Sequence, residues 1–316
     1  MSRLRPGNSD HEQPAPVTTD PYSRDQLEAM ATALERSGEY RILRKVAPYP
    51  WRDPVERGPV RRGLAIDLET TGLDCRIHEI IEIAMVPFDY TVDGYVTSVY
   101  PAFQAYNQPS SPIPPEITQL TGITDAMVAG HVIDRAAVVS FAAAADLVIA
   151  HNAGFDRKFC ERFSDVFTTK AWACSQLEVN WAEEGFEGTK LGYLASHCGF
   201  FYDRHRAVND CTALIEILRR PLPSGSPALN RLLQSARLPL WRVWAVGAPF
   251  DLKDVLKDRG YRWNGGEDGR PRAWHRDVPD DQLHAEKSFL SSDIFRAETH
   301  IPTVKMTAFD RYSERC

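Results

Sequence analysis

The sequence lacks the features of a membrane or secreted protein. No uninterrupted apolar run approaches the roughly 18 residues that a membrane-spanning helix requires, and the first residues are polar and proline-rich instead of forming the apolar core of a secretory signal. Its six cysteines contain no Cys-x-x-Cys pair, so neither a zinc site nor a disulfide framework is indicated. We therefore expect reduced thiols, no membrane partner and a cytoplasmic location.

The sequence also lacks the basic excess that is typical of nucleic-acid-binding proteins, because its formal net charge is −6. The acidity is concentrated in residues 62–221, which hold 12 Lys and Arg against 21 Asp and Glu. A solvated acidic surface is the ordinary explanation for such an excess, and a metal site built from carboxylates would contribute to it as well. Charge by itself leaves both explanations open.

The length and the changes in composition predict several segments. A chain of 316 residues is long enough for two domains with extensions. We predict a disordered tail over 1–21, a small helix and strand segment over 22–61, an α/β domain over 62–221, a linker over 222–228 and a small α+β domain over 229–316. The elements predicted in the last segment follow the order β-α-β-β-α-β of ferredoxin-like units.

Hydrophobic periodicity predicts the fold class of the middle segment. Apolar runs indicate strands, and an Ala-rich stretch and two amphipathic stretches indicate helices. The predicted strands are 64–68, 80–86, 95–103 and 147–150, and the predicted helices are 136–145, one that begins after Asn152, and 208–218. This order predicts a mixed sheet with helices packed on it.

Two carboxylates close the first of these strands. Asp67 and Glu69 are two residues apart, so the side-chain period of a strand places both on one face. A tight turn over 70–73 that contains Gly72 follows them and can bring backbone N–H groups close to a ligand. An isolated Asp-x-Glu is usually solvated surface, and the apolar residues before this pair favour a cation site.

Two further polar motifs follow predicted strand and helix boundaries. Asp156 comes after the strand 147–150, and by itself it is best interpreted as an acidic residue that stabilises the first turn of a helix. His205 and Asp210 would lie roughly 140° apart around a single helix. They therefore converge only if His205 lies on a turn before the helix.

Together the three motifs resemble those of a known enzyme family. Asp67-x-Glu69-Thr70-Thr71-Gly72-Leu73, His151-Asn152-Ala153-x-Phe155-Asp156 and His205-x-x-x-x-Asp210 resemble, in this order, the motifs of the DEDDh branch of the DEDD exonucleases. That branch includes the proofreading subunit of the bacterial replicative polymerase. The resemblance covers about residues 62–220, and the proline-rich segment 112–125 looks like the substrate-contacting segment of the family.

The resemblance implies a ribonuclease-H-like fold and a 3′-to-5′ exonuclease that acts on DNA ends and releases nucleoside 5′-monophosphates. It implies that Asp67, Glu69, Asp156 and Asp210 hold two Mg²⁺ or Mn²⁺ ions and that His205 acts as the base. Crowded carboxylates repel one another, and hard divalent cations with a preference for oxygen neutralise them. The implied substrate-binding residues are Thr70, Leu73, Glu116, Thr121, Asn152 and Phe155, although Asn152 also suits a helix cap and Leu73 and Phe155 also suit the core.

Other functions are compatible with the same motifs. An exoribonuclease of this family would use the same metal chemistry, and a non-catalytic nucleic-acid-binding or polymerase-associated protein could keep the fold. The C-terminal segment alternates tryptophans with basic residues, a pattern that suits either stacking on single strands or a small core, and we favour the core. Because that segment looks folded, we expect an enzyme that works alone.

The motif assignment predicts that Asp67→Ala abolishes the Mg²⁺-dependent release of 5′-mononucleotides, since the substitution removes an ion ligand that no neighbour can replace. The measurement is degradation of a 3′-labelled oligonucleotide by the purified variant. Undiminished activity would contradict the assignment of the first motif.

Overall fold

The structure is a computed structural model that describes residues 21–46, 50–53 and 55–315. The chain divides into two compact units, residues 1–43 and 44–316. Except for Pro21, the tail expected to be disordered lies outside the described residues. In the first unit, Ser23 caps the first helix with a capping box. Among the described residues, no helix is long and apolar enough to cross a membrane.

The elements are numbered in chain order. The strands are β1 (Arg44–Lys45), β2 (Trp51–Arg52), β3 (Val60–Thr70), β4 (Ile80–Thr91), β5 (Val96–Val99), β6 (Phe103–Tyr106), β7 (Leu147–Ala150), β8 (Ala171–Cys174), β9 (Phe200–Phe201), β10 (Leu240–Ala245), β11 (Arg262–Trp263), β12 (Trp274–Pro279) and β13 (Thr303–Met306). The α-helices are α1 (Arg24–Arg36), α2 (Pro115–Thr121), α3 (Asp125–Val128), α4 (Arg135–Ala143), α5 (Ala153–Phe163), α6 (Leu191–His197), α7 (Ala207–Arg219), α8 (Ala228–Arg237), α9 (Lys253–Asp258) and α10 (Leu283–Phe289).

A seven-stranded mixed sheet forms the frame of the second unit. Its order is β2-β5-β4-β3-β7-β8, with β6 also paired to β4. Strands β3 and β4 form a long antiparallel pair, whereas β7 and β8 run parallel to β3. The predicted mixed sheet with flanking helices is confirmed.

The single strand predicted over 95–103 is wrong. The structure has two short strands there, β5 and β6, and both pair with β4 at different places along its length. Pro101 lies in the break between them. Since proline has no N–H to donate to a ladder, a continuous strand through this position is unfavourable.

Helices cover both faces of the sheet. On one face Ala65 and Ala84 contact a core that includes α6, α7 and α8, and on the other Leu64 and Ile66 contact a core that includes α4 and α5. Because successive residues of a strand point to opposite faces, β3 contributes to both cores. Its even-numbered residues face α5 and its odd-numbered residues face α7.

The helix after the predicted linker packs into the core of the sheet domain. Leu222, inside the predicted linker, is 5% exposed, and Leu229 and Leu232 of α8 are fully buried in the same cluster. The side chain of Asn230 donates to the carbonyl of Asp93 over 2.9 Å. Residues on both sides of 222–228 therefore share one core. The division of the chain into domains at this stretch stays a prediction.

The C-terminal elements form a second, smaller sheet of four antiparallel strands, β11-β12-β10-β13. Helices α9 and α10 complete the predicted order β-α-β-β-α-β, and their apolar side chains share a separate cluster with Val243 and Val278. After β13 the chain returns to the first sheet, where the N–H of Trp172 donates to the carbonyl of Ala308 over 2.8 Å.

A fully buried arginine fixes this returning segment. The guanidinium of Arg157 on α5 donates to the carbonyl oxygens of Phe309 and Arg311, each over 2.6 Å, and also pairs with Glu161. Arg311 in turn forms a buried ion pair with Glu178. The C-terminal segment is thus joined to α5 and to the chain after β8 by largely buried charged contacts.

The contact between the turn after β4 and α8 generates a stability prediction. Gly94 has φ +80°, and a Cβ at this position would lie 2.4 Å from the backbone N of Asn230. Gly130 has a similar φ of +74° with nothing within 4 Å of the corresponding position. We expect Gly94→Ala to lower the free energy of unfolding by roughly 1–3 kcal/mol more than Gly130→Ala, because only the first substitution also adds overpacking to the backbone strain. Urea denaturation of both variants measures the difference, and equal losses would contradict the close approach.

Candidate metal centre

Three carboxylates meet at the end of β3. One oxygen each of Asp67, Glu69 and Asp210 lies within 4.8 Å of the others. Asp67 and Glu69 are brought together by the two-residue period of the strand, and Asp210 comes from the first turn of α7, which packs on the same face of the sheet. The sequence therefore predicts two of these neighbours through local geometry and the third through its motif.

Two hydrogen bonds hold the Asp210 carboxylate. The Tyr202 hydroxyl donates to Oδ1 over 2.9 Å, and the backbone N–H of Arg206 donates to Oδ2 over 3.2 Å. Tyr202 lies in the loop before α7, so the loop and the helix fix one carboxylate together. These two hydrogen bonds leave other lone pairs of the Asp210 carboxylate available to a cation.

Asp156 reaches the same region from the opposite face of the sheet. It lies in the first turn of α5 and is only 2% exposed, and burial raises its pKa well above the usual range while the backbone N–H of Leu68 opposes the rise. Parallel pairing between β3 and β7 ends at Ala65 and Ile149, so the N–H of Leu68 lies beyond the paired part of β3. Asp156 thus lies at the unpaired edge of β3, close to the other three but outside the group within 4.8 Å.

Glu82 is a fully buried carboxylate directly opposite Glu69 in the ladder between β3 and β4. It accepts hydrogen bonds from the backbone N–H of Ala207 over 3.2 Å, from the guanidinium of Arg206 over 3.3 Å and from the side chain of Gln104. These contacts attach the beginning of α7 to β4.

The crowding of acidic groups raises their pKa values. Burial, followed by the charges of Asp156, Asp210 and Glu69, raises the pKa of Asp67 well above its usual range. Burial and the charges of Asp210 and Glu82 raise the pKa of Glu69 to about 8. Two unit charges 4.8 Å apart repel by roughly 3.5 kcal/mol at an effective dielectric constant of about 20. That repulsion exceeds the ~1 kcal/mol of an ordinary hydrogen bond, so the cluster requires protons or cations.

The donor set fits a hard divalent cation. All four side chains offer carboxylate oxygens, which are the ligands that Mg²⁺, Mn²⁺ and Ca²⁺ prefer, and no thiol or imidazole lies within the three-residue group. A soft metal would find none of its preferred ligands there. The arrangement can therefore hold hard cations at the point where β3, α5 and α7 meet.

His205 lies on the turn before α7, as its spacing from Asp210 requires. It has a left-handed backbone with φ +62° and an exposed side chain, and it comes one residue before Arg206 at the N-cap of the helix. Burial raises the pKa of Asp210, and the hydrogen bonds from Tyr202 and the N–H of Arg206 and the charge of His205 oppose this rise. A side chain on an exposed turn can move relative to the fixed carboxylate of Asp210.

The predicted substrate-binding residues differ in accessibility. Leu73 is 85% exposed, and Glu116 and Asn152 are exposed as well. Asn152 lies at the N-cap of α5 with φ +80°, and its side chain makes no capping hydrogen bond. Asn152 thus takes the expected N-cap position, but its side chain does not provide the expected capping hydrogen bond.

The remaining candidates are engaged in local structure. The hydroxyl of Thr121 donates to the carbonyl of Ile117 over 2.9 Å, and that of Thr70 donates to the carbonyl of Gly72 over 2.7 Å. Phe155 is half-buried and packs on Phe159 with ring centroids 5.0 Å apart. These side chains stabilise the turns and the helix that surround the carboxylates.

His151 is nearly buried behind the site. Its Nδ1 lies 2.8 Å from the hydroxyl of Ser175, and burial lowers its pKa to about 4, so the imidazole is neutral near pH 7. The sequence reasoning missed Tyr202 and Gln104, which hold Asp210 and Glu82. Neither residue belongs to a motif, and their hydrogen bonds to Asp210 and Glu82 form only when the loop and the neighbouring strand come together in the fold.

Comparisons with known proteins identify relatives of this chain. Residues 64–218 match the model of the RNase_T family, which is described as an exonuclease family. The chain is 27% identical over 205 residues to the DNA polymerase III subunit epsilon of Aquifex aeolicus, an alignment that covers 62% of this chain and 90% of that protein. It is 31% identical over 162 residues to the PolC-type DNA polymerase III of Clostridium perfringens, covering 49% of this chain but only 11% of that protein.

Further similarities are weaker or cover smaller parts. A 3′-5′ exonuclease DinG of Bacillus subtilis is 32% identical over 184 residues, which are 54% of this chain and 19% of that protein. Among solved structures, exonuclease X in complex with 5′ overhanging duplex DNA is 24% identical with a TM-score of 0.37, covering 53% of this chain and 99% of that one. Exonuclease I is 16% identical with a TM-score of 0.45, covering 58% of this chain and 49% of that one.

The raised pKa of Glu69 predicts how the metal-free protein responds to pH. Because its pKa rises from 4.5 to about 8 on folding, the folded protein binds this proton more tightly than the unfolded chain does. The resulting stability is fully present below about pH 4.5 and is lost as the pH rises to about 8. Between pH 6 and pH 8 we expect wild type to lose on the order of 1–3 kcal/mol more unfolding free energy than Glu69→Gln.

Urea denaturation in a chelator measures this difference, and the same series in excess Mg²⁺ is the control. Since a cation replaces the proton, Mg²⁺ should restore the stability of wild type at pH 8 and have a smaller effect on Glu69→Gln. Parallel pH profiles of the two proteins in chelator would contradict the crowding of carboxylates at β3.

Proposed function

Since residues 64–218 belong to the RNase_T exonuclease family, we propose that the protein is a metal-dependent 3′-to-5′ exonuclease that removes nucleotides from DNA. The observation that carries the proposal is the meeting of Asp67, Glu69 and Asp210 within 4.8 Å, with buried Asp156 beside them. All four lie inside the segment that matches the family.

In this proposal, the four carboxylates hold two Mg²⁺ or Mn²⁺ ions. Asp67, Glu69 and Asp210 supply the oxygens of the close group, and Asp156 supplies another from the α5 side. The ions would neutralise the repulsion between the carboxylates, activate water and stabilise the charge of the leaving 3′ oxygen. Released products would then be nucleoside 5′-monophosphates.

His205 is the proposed general base. Histidine is the side chain that most often acts as a general base, so its imidazole suits the removal of a proton from water. The exposed turn before α7 lets the side chain approach the reacting phosphate while Asp210, five residues later, stays fixed by Tyr202. A fixed ligand and a mobile base thus come from the same end of one helix.

The substrate end is proposed to lie across the turn after β3 and the start of α5. Exposed Leu73 offers an apolar surface to a terminal base, and Phe155 offers the exposed part of its ring from the other side. Asn152 and Glu116 provide exposed polar groups for the sugar and backbone. Thr70 and Thr121 support this surface by holding the adjoining turns, and their backbone groups complete the contact with the terminal nucleotide.

DNA is the proposed substrate because several relatives are DNA polymerase III proteins. The names of these relatives are also compatible with an association between this protein and a polymerase. The folded sheet over β10 to β13 favours an enzyme that acts alone, since it adds a structured domain where a tethering peptide would be short and extended.

The function predicts that full-length protein in Mg²⁺ or Mn²⁺ shortens a 5′-labelled single-stranded DNA step by step from its 3′ end, and that a chelator stops the reaction. We expect His205→Ala to lower kcat by roughly 10²- to 10⁴-fold, the usual contribution of a general base. Gel analysis of the products and quenched-flow kinetics measure both effects.

The matched control is His284→Ala, because His284 is also exposed and lies on α10 of the C-terminal sheet domain. It should retain wild-type kcat. Shortening from the 5′ end would contradict the proposed polarity, faster degradation of RNA than of DNA would favour an exoribonuclease, and binding without hydrolysis in either metal would favour a non-catalytic protein.

A further inference from the structure

A groove of about 900 Å³ lies between the exonuclease domain and the C-terminal sheet. Charged and aromatic side chains line it from both sides. The lining includes Arg76, Gly154 and Lys158 on the exonuclease side and Arg262, Trp263 and Arg270 on the side of the C-terminal sheet.

The groove begins beside the candidate metal centre. Gly154 lies two residues before Asp156 in the first turn of α5, and Arg76 follows the exposed Leu73 by three residues. One wall of the groove is therefore made by the same two segments that surround the carboxylates. A polymer chain whose end lies at the carboxylates would pass these two segments as it leaves them.

An exposed tryptophan lies on the opposite wall. Trp263 is 51% exposed and lies on β11, the outer strand of the C-terminal sheet. Its ring is supported edge-on by Trp274, with the ring centroids 5.6 Å apart. The expectation that the C-terminal tryptophans form a core holds for Trp244, which is 3% exposed, but Trp263 presents its ring to the groove.

Arg262 is adjacent to Trp263 in the sequence and is more exposed still. Its side chain is 71% exposed and lies 3.8 Å from Asp277, whose carboxylate already receives two hydrogen bonds from Arg242. The guanidinium is therefore available to a phosphate. Both residues line the groove. Aromatic rings and cations that line one groove are the combination that binds single-stranded nucleic acid, because unpaired bases stack while phosphates meet the charge.

The charge of the groove is opposite to that of the chain as a whole. The lining holds six Lys and Arg and four Asp and Glu, whereas the whole chain has a net charge of −6. Of the four acidic residues, Glu178 and Asp277 are paired with Arg311 and Arg242 inside the walls. The local positive excess favours a polyanionic ligand in a protein that otherwise repels one.

We infer that this groove binds the single-stranded stretch of DNA behind the 3′ nucleotide that is being removed, with Trp263 stacking on a base and Lys158 and Arg262 contacting phosphates. The inference rests on the proposed function, since it names how that site receives its substrate. It also assigns a role to the C-terminal sheet, which lies outside the matched residues 64–218. The stacking requirement selects unpaired bases over a duplex.

The test compares a long and a short substrate. For a 20-nucleotide single-stranded DNA, we expect Trp263→Ala to raise KM by roughly 5- to 150-fold, the range of one lost base stack. For the p-nitrophenyl ester of thymidine 5′-monophosphate, which is too small to reach the groove, kcat/KM should stay at the wild-type value. Trp263→Phe should recover most of the affinity for the long substrate.

Phe250→Ala is the matched control. Phe250 is an exposed aromatic residue of the same C-terminal sheet domain, 75% exposed with Lys253 4.2 Å from its ring centroid, and it does not line the groove. It should leave both substrates unaffected. Loss of affinity in Phe250→Ala equal to that in Trp263→Ala would overturn the assignment to the groove.

Salt dependence tests the charged contacts separately. Lys158→Gln should reduce the slope of log K against log salt by about 0.7 for single-stranded DNA, the value for one lost phosphate contact. An unchanged slope, or an equal loss of affinity for blunt duplex DNA in Trp263→Ala, would overturn the inference.

Binding measurements separate this inference from the proposed function. If wild type hydrolyses both substrates and Trp263→Ala has an unchanged KM for the long one, the groove assignment fails and the exonuclease stands. If neither substrate is hydrolysed but Trp263→Ala weakens binding of single-stranded DNA to the full chain, the proposed function fails and the groove stands.

Discussion

Repulsion among crowded, partly buried carboxylates is the constraint on which the centre of this protein depends. Asp67, Glu69 and Asp210 lie close together and are joined by Asp156 and Glu82, so the metal-free site favours protonation over ionisation. A folded chain keeps such a cluster only if the surrounding contacts stabilise it by more than the repulsion costs. Cations in the proposed site convert the same repulsion into binding energy, because every carboxylate then gains an attractive partner.

The scaffold meets this constraint by bringing rigid elements to one point. Strand β3 extends beyond its parallel partner β7, and Asp156 lies beside the unpaired edge, where the backbone N–H of Leu68 opposes the rise of its pKa. On the other face, Glu82 accepts hydrogen bonds from the backbone N–H of Ala207 and from the side chain of Arg206 at the N-cap of α7. These bonds fix the helix that carries Asp210. The ligand positions are thus set by strand length and helix docking, and only His205 is left on an exposed turn.

The C-terminal sheet is joined to the exonuclease domain closely enough to act with it. Arg157 lies next to Asp156 on α5, and its buried guanidinium holds the carbonyl oxygens of the chain that returns from β13. The ion pair of Arg311 with Glu178 adds a second buried attachment. A substrate held in the groove between the two parts would therefore contact surfaces whose relative position is fixed by the fold.

The sequence by itself determined the exonuclease family, the mixed sheet and the order of the C-terminal elements. Ordered motifs and apolar periodicity are local properties, and the family and the fold class predicted from them are confirmed. The break at Pro101 and the left-handed backbone of Asn152 are local features as well. Their effects on strand pairing and on helix capping depend on the neighbouring strand and helix.

Only the tertiary structure decided which residues hold the carboxylates and which of the C-terminal aromatics are exposed. Tyr202 and Gln104 hold Asp210 and Glu82 although neither belongs to a motif, and α8 joins a core across a stretch whose composition predicts a linker. Trp244 is buried and Trp263 is exposed although both lie on short strands with alternating basic residues. The physical reason is that burial depends on which strand lies at the edge of a sheet, and pairing between distant strands settles that position.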